Sequence, residues 1–338
     1  MYQLAYKDVI LIGFLSYDLL MRKLNYRSKR KIIIIGLIMI SLFGLWQYLS
    51  KKNDDFKWGN EPYISLYLHQ QDKTVKIKFE EYLVGAVAAE MPASFDIEAL
   101  KVQAVCARTY AIKKLLEQHK YPLQANLSDD INSCQAYISP AEFIKENPAY
   151  KQELLAKIKK AVDDTRGEIM LSNDEPIDAL YHSTCGGQTE KAGDVWLQDL
   201  PYLDSVICEY CAKSKHYATV QVFSTQEIEN DIGVNCNDDL DIKILETTAS
   251  GRIKKLSINN LKLSGEEFRR RLDLPSNWWR FEIKKGKLII NSRGYGHGVG
   301  MCQYGSNGMA QDGADYKKIL RHYYGDIEFN KISYDVLE

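Results

Sequence analysis

The chain of 338 residues is long enough for one large domain or two small ones, and its 45% hydrophobic and 26% charged content is that of a globular protein. A formal net charge of −1 gives no overall reason to expect nucleic acid as a partner. There is no internal repeat and no low-complexity tract, and the 22 tyrosines suit many polar grooves, sugar-binding ones included.

Residues 1–31 read as a cytoplasmic N-terminal tail, within which Met21 is a second candidate start beside Met1. From Ile32 to Leu49 the chain runs 18 residues without a charge. As a helix this stretch reaches about 27 Å, close to the hydrocarbon thickness of a bilayer. Six basic residues precede it (Arg22, Lys23, Arg27, Lys29, Arg30 and Lys31), while the far side carries the mixed run KKNDD. Such a basic flank keeps the N-terminus in the cytoplasm. Residues 32–49 are therefore expected to be a single-pass transmembrane anchor, 50–61 a linker and 62–335 an extracytoplasmic domain. A cleaved signal peptide is the rival reading, but the apolar run is long for one and no small-x-small site follows it.

Beyond the linker, Ile64, Leu66 and Leu68 alternate with polar residues, as do Val75, Ile77 and Phe79 after the turn-like QQDK. This is the pattern of a β-hairpin. A helix follows from near Glu80, with Leu83, Ala86, Val87 and Glu90 on one face. Pro92 ends it, because the residue before a proline avoids helical geometry. Ser94 or Asp96 caps the next helix, about Ile97 to Leu116, which is apolar or small nearly all round through Arg108 and is expected to be buried. Residues 121–148 read as a loop-rich insertion. Leu154, Leu155, Ile158 and Val162 stripe a further helix, and the strand-like GEIML and PIDALYH flank the turn SNDE. Residues 213–290 are expected to form a smaller subdomain of short strands with one helix near 264–272. The glycine-rich RGYGHGVGM and two short helices close the chain. Strands and helices in no strict βαβ rhythm give an α+β fold, mixed strands and helices around a cleft.

Glu90 breaks the apolar pattern. A carboxylate on a helix's apolar face and at its C-terminal end is disfavoured as an anion, by desolvation and by the partial negative charge of the helix terminus. The same effects make an acid that keeps its proton near neutral pH, as the proton donor in glycoside cleavage must. The plain alternative is a side chain that reaches water past a frayed last turn. Glu80 and Glu98 fall on the polar sides of their helices, as solvated surface.

The stretch EEYLVGAVAAEMPASFDIEALKVQAVCARTYA, with TRGEIMLSNDEPIDALYHSTCGGQTE, DVW, PYLDSV, SGEEFRRRLDLPS and RGYGHGVGMCQYGSNGMAQDG, resembles the stage II sporulation protein D family of membrane-tethered peptidoglycan lytic transglycosylases. The likeness runs in order from about residue 62 to residue 328, and the EMP and GYGHGVGMCQYG blocks are specific motifs. It implies that Glu90 is the catalytic acid and that peptidoglycan glycan strands are the substrate. The bond between N-acetylmuramic acid and N-acetylglucosamine is then cut without water, leaving a 1,6-anhydro end, and no cofactor is required for the chemistry. The resemblance further implies work on the septal wall during engulfment from the mother-cell membrane, with stage II sporulation proteins M and P as partners.

The glycine block does not meet nucleotide-binding spacing; in the family this loop borders the active cleft. There Tyr295, His297 and Gln303 are expected to give hydrogen bonds to sugar hydroxyls. His182, Ser183 and Thr184 of the YHSTCGG loop are expected to present polar groups to the same cleft. A nucleophile at Ser183 or Cys185 would need a base and an orienting third group, and only His182 is at hand. Arg108 and Tyr110 are expected to pack or hydrogen-bond between helices, with substrate contact as the alternative.

Seven cysteines leave at least one unpaired. Some clostridial family members bind zinc through a Cys-x5-Cys pair ending in an HCQ-type motif. Here SDDINSCQAY keeps Cys134 but has Ser133 and Ser128 where the histidine and the first cysteine would stand, so that site is lost. Cys208 and Cys211 of ICEYC instead offer half of a tetrahedral structural zinc site, which Cys185 with His182 or His216 would complete. A disulfide or idle thiols are the alternatives. Cys106 and Cys302 read as small buried residues and Cys236 as the leftover thiol. Two other functions compete: a zinc-dependent amidase that removes stem peptides, and a non-catalytic peptidoglycan-binding scaffold.

Overall fold

The computed structural model describes residues 59–196, 199–236 and 240–337, with Ile35, Met39 and Ser41 ahead of them. Apart from those three positions, the expected tail, the anchor and most of the linker lie outside the described residues. Among the described residues no helix is long and apolar enough to cross a membrane.

The alternating residues make an antiparallel hairpin of β1 (Tyr63–Leu68) and β2 (Lys73–Lys78), with Ile64, Leu66 and Ile77 turned inward. Helix α1 (Phe79–Glu90) starts directly after it, and α2 (Ile97–Leu116) follows, capped where the Asp96 carboxylate accepts the Glu98 N–H at 2.9 Å. Residues 121–148 are an irregular excursion with a 3-10 turn (Pro122–Gln124) and two short regular pieces, β3 (Leu127–Ser128) beside β1 in parallel and α3 (Pro140–Phe143). Next come α4 (Pro148–Asp164), β4 (Glu168–Ser172) and β5 (Glu175–Pro176). Asn173 and Asp174 make the β4–β5 turn with φ of 53° and 62°, the left-handed pair that a two-residue hairpin favours. PIDALYH is not one strand: only its ends are extended, as β5 and as β6 (Tyr181–His182).

A short helix α5 (Ala192–Val195) leads towards β7 (Ala218–Ser224), α6 (Thr225–Ile232), β8 (Ile242–Thr247), β9 (Ile253–Ile258), β10 (Leu261–Ser264), α7 (Gly265–Arg271), β11 (Trp279–Lys284) and β12 (Lys287–Arg293). This region holds a hydrophobic cluster of its own, including Ile228, Ile232, Leu256, Ile258, Phe268, Leu288 and Ile290. The sequence pattern marks one helix here, α7, and α6 is a second. Its signal is the S-x-x-E box, in which the Ser224 side chain accepts the Glu227 N–H while the Glu227 carboxylate accepts the Ser224 N–H. The chain closes with β13 (Met301–Cys302), α8 (Gln303–Gln311), α9 (Tyr316–Tyr324) and β14 (Glu328–Lys331), the last antiparallel to β4.

The main core surrounds α2, with α1, α4, β4, α8 and α9 packed against it. Alanines at 99, 104, 107 and 111 are fully buried and let those neighbours approach closely. Within this core Glu80 departs from the sequence expectation: it is buried, not solvated. Arg108 donates to it from Nε at 2.9 Å and Nη2 at 2.8 Å, and the Tyr334 hydroxyl donates as well. The rest of the Arg108 guanidinium is satisfied by the carbonyls of Val162 and Glu168 and by the Thr165 hydroxyl. Burial alone would raise the Glu80 carboxyl; the charge and hydrogen bonds of Arg108, aided by Tyr334, hold it below its ordinary value. Glu98 lies half-buried, bonded to the Lys101 ammonium and to the Tyr316 N–H.

Candidate active site

Two motifs far apart in the chain meet through a very short pairing. β6 and β13 run parallel with Tyr181 opposite Met301 and His182 opposite Cys302, and Thr184 bridges Tyr295. The backbones come so close that a Cβ on Gly294 would stand 2.6 Å from the Thr184 carbonyl oxygen, and Gly294 has a φ of 79°. Only glycine fits there. The YHSTCGG loop and the glycine block thus become one wall of a cavity of about 610 Å³, and Glu90 stands on another wall.

Glu90 is the last residue of α1, and Met91 leaves the helix in extended geometry (φ −126°, ψ 138°), as Pro92 requires. The Gln303 amide caps the exposed helix end by donating to the Glu90 carbonyl at 2.9 Å. Oε1 of the carboxyl accepts the Ala136 N–H at 2.6 Å. Burial raises this carboxyl above its ordinary pKa, and the Ala136 N–H and the Tyr181 hydroxyl offset part of the rise. Among the described residues that line the cavity, Glu90 is the only carboxyl.

The other expected site residues divide. His182 lines the cavity and is buried; its Nδ1 lies 3.0 Å from the Val299 carbonyl, so that nitrogen carries the hydrogen. Nε2 is then a bare acceptor with no partner among the described residues. Burial, and next the neighbouring His297, push its pKa well down, which keeps the ring neutral. Ser183 and Tyr295 also line the cavity, the latter 46% exposed at its rim.

His297 borders the same space, but both of its nitrogens are engaged by backbone. Nε2 lies 3.1 Å from the Tyr181 carbonyl, and Nδ1 accepts the Val299 N–H at 3.1 Å. Burial pushes its pKa down to about 4. The ring offers a face rather than the expected donor, and Trp196, 43% exposed, lies 5.3 Å from it. Gln303 lines the cavity, but its amide N–H groups are engaged by the Glu90 carbonyl and by the Gln103 side chain at 3.1 Å, so they hold the helix end. Thr184 does not face the cavity: it is buried, with its hydroxyl 2.7 Å from that of Ser214.

Several cavity residues escaped the sequence reading. The insertion at 121–148 contributes the Ala136 N–H and Gln135, whose amide bridges the Tyr82 hydroxyl at 2.8 Å and the Ala107 carbonyl. A backbone donor leaves no mark in a sequence. Trp196 did leave one, as the exposed aromatic of DVW. Beyond Trp196 and His297, which wall both spaces, lies a second cavity of about 650 Å³. Its acids are already paired: Glu190 accepts from the Thr248 and Ser250 hydroxyls at 2.6 Å, Asp194 lies 3.5 Å from Lys254, and Glu266 lies 3.4 Å from Arg269.

The cysteine group expected from Cys185, Cys208 and Cys211 is assembled, but its fourth member is Cys302, neither His182 nor His216. His182 is turned to Val299 and His216 lies against the Tyr295 ring. Cys302 is therefore more than a small buried residue. Cys106 is one, 3.4 Å from the Tyr324 hydroxyl, and Cys236 is a free thiol buried in the second core. Cys134 lines the Glu90 cavity.

Comparison with known proteins agrees with the motifs. The family model described as Stage II sporulation protein matches residues 67–171, the segment that carries Glu90 and Ala136. Stage II sporulation protein D of Bacillus amyloliquefaciens is 34% identical over 270 residues, 79% of this chain and 78% of that protein. The protein of the same name from Bacillus subtilis (strain 168) is 35% identical over 263 residues, 77% of each. An amidase enhancer of Bacillus subtilis (strain 168) is 27% identical over 301 residues, 72% of this chain but 39% of that protein. The chain belongs to the stage II sporulation protein D family.

Proposed function

We propose that this protein is a peptidoglycan lytic transglycosylase in which Glu90 acts first as acid and then as base. Protonated Glu90 donates to the oxygen leaving between N-acetylmuramic acid and N-acetylglucosamine. The carboxylate so formed takes the proton from the muramic acid's own 6-hydroxyl, whose oxygen closes on C1 to leave a 1,6-anhydro ring. Because the Ala136 N–H occupies Oε1, the proton is carried by Oε2. The Trp196 and His297 rings flank the sugar.

One observation carries the reading: a single carboxyl, desolvated and raised in pKa, lines a cavity that holds no second acid among the described residues. A glycosidase that uses water or a covalent intermediate needs two. An amidase needs a metal with an open position, whereas the cysteine group gathers four sulfurs within 4.8 Å of one another, the donor set of a closed site. In this proposal the protein is tethered to the mother-cell membrane by residues 32–49, with stage II sporulation proteins M and P as partners at the septal wall.

The test is mass spectrometry of purified glycan strands after incubation with the wild-type chain and with Glu90→Gln. Anhydro ends are expected from the wild type and a loss of about 10²–10⁴-fold from the variant. Reducing ends, released peptides, or binding with no product would each overturn the proposal.

A further inference from the structure

We propose that Cys185, Cys208, Cys211 and Cys302 hold one structural zinc ion as a closed set of four thiolates behind the Glu90 cavity. The four sulfurs lie within 4.8 Å of one another, and all four residues are buried. Zinc–sulfur bonds of about 2.3 Å set the edges of a tetrahedron at roughly 3.8 Å; the Cys185 and Cys211 sulfurs stand 3.4 Å apart.

Backbone N–H groups point at two of the sulfurs, while the Cys208 and Ser183 carbonyls lie farther off, at 3.6–4.0 Å from Cys185, Cys211 and Cys302 Sγ. Cys302 Sγ accepts the backbone N–H groups of Cys185 and Gly305, both at 3.3 Å, and Cys185 Sγ accepts that of Gly187 at 3.4 Å. The Gly305 contact makes Cys302 the N-cap of α8, where the helix dipole favours negative charge. The Tyr323 hydroxyl lies 3.2 Å from Cys208 Sγ. Such donors around the sulfurs are the outer shell that orients metal ligands. The buried Arg252 guanidinium donates to the Cys185 and Gln188 carbonyls at 2.9 and 2.7 Å, which sets a positive charge beside the doubly negative filled site.

Binding involves no change of oxidation state. Four thiols lose their protons to solvent as four zinc–sulfur bonds form. With four protein ligands the ion has no open position, so its work is mechanical. It ties together the YHSTCGG loop, the turn Glu209–Cys211 and the start of α8. Cys302 pairs with His182 across β6–β13 and precedes Gln303, so the ion anchors both the histidine that faces the cavity and the amide that caps Glu90.

The purified full chain is expected to contain one zinc per molecule. Replaced by cobalt, it is expected to show thiolate-to-cobalt charge transfer and the strong bands of a tetrahedral site. Cys185→Ser and Cys302→Ser are expected to lose the metal, and Cys236→Ser to keep it. Because a misfolded variant would also lose zinc, the cobalt spectrum of the unsubstituted chain decides. Absence of zinc, iron in its place, a cobalt spectrum without thiolate bands, or disulfides among these four cysteines would overturn the proposal. Metal content is read without any activity, so the outcome is separable from that of the Glu90 test.

Discussion

At the scale of single residues, Glu90 shows how a fold shifts a carboxyl towards its protonated form. Its carboxyl is raised chiefly by burial, and the Ala136 N–H and the Tyr181 hydroxyl limit the rise. A raised pKa extends the acid form upwards in pH. Cleavage should therefore be full below the raised pKa and fall as pH climbs through it, because the proton donor is then gone. In a wild-type pH profile of kcat/KM the descending limb is expected at a higher pH than the midpoint of an ordinary glutamate. A limb at the value of an ordinary surface glutamate would remove the desolvation argument. His182 and His297 illustrate a second point: neighbours with the same ring take different parts, one as a bare acceptor and one as a flat surface, because different backbone groups claim their nitrogens.

At the scale of elements, α1 and α2 were largely legible. The apolar spacing, Pro92 and Asp96 are local signals, and the helices begin and end where those signals stand. What stayed hidden depended on distant partners. Glu80 reads as surface by periodicity, yet Arg108 and Tyr334 build a polar site for it inside the core. Cys302 sits in a glycine block and becomes the fourth sulfur only because two residues of β13 pair with two of β6. The Glu80–Arg108 pair yields a prediction at this scale. Arg108→Met leaves a buried carboxylate without its partner and should cost about 3–5 kcal/mol in denaturant unfolding at neutral pH. The depressed Glu80 carboxyl adds stability that is present above its unfolded-state pKa and is lost as pH falls through the lower folded-state value. The variant should accordingly lose the part of the wild type's acid unfolding that belongs to this group; a cost under about 1 kcal/mol would mean that the pair is not the clamp described.

At the scale of the whole molecule, the region from β7 to β12 has a hydrophobic cluster separate from the one around α2, and the two cavities meet at Trp196 and His297. The α+β class was readable from the irregular order of strands and helices. The placement of the insertion as a cavity wall was not, since it acts through a main-chain amide and through Gln135 packed on Tyr82. Trp196 stands at the junction of the two spaces, where the sugar chain of the proposed reaction would pass. Trp196→Ala is expected to raise KM several-fold on glycan strands with kcat little changed, the mark of lost uniform binding. A fall in kcat with unchanged KM would instead assign the indole to the reacting sugar.

The donor that fixes Glu90 Oε1 belongs to the main chain at Ala136. Any residue with an amide hydrogen supplies it equally well, and among the twenty amino acids proline alone withdraws it. This contact is therefore indifferent to the side chain at 136, provided the path of the backbone, which Gln135 ties to Tyr82 and Ala107, is kept.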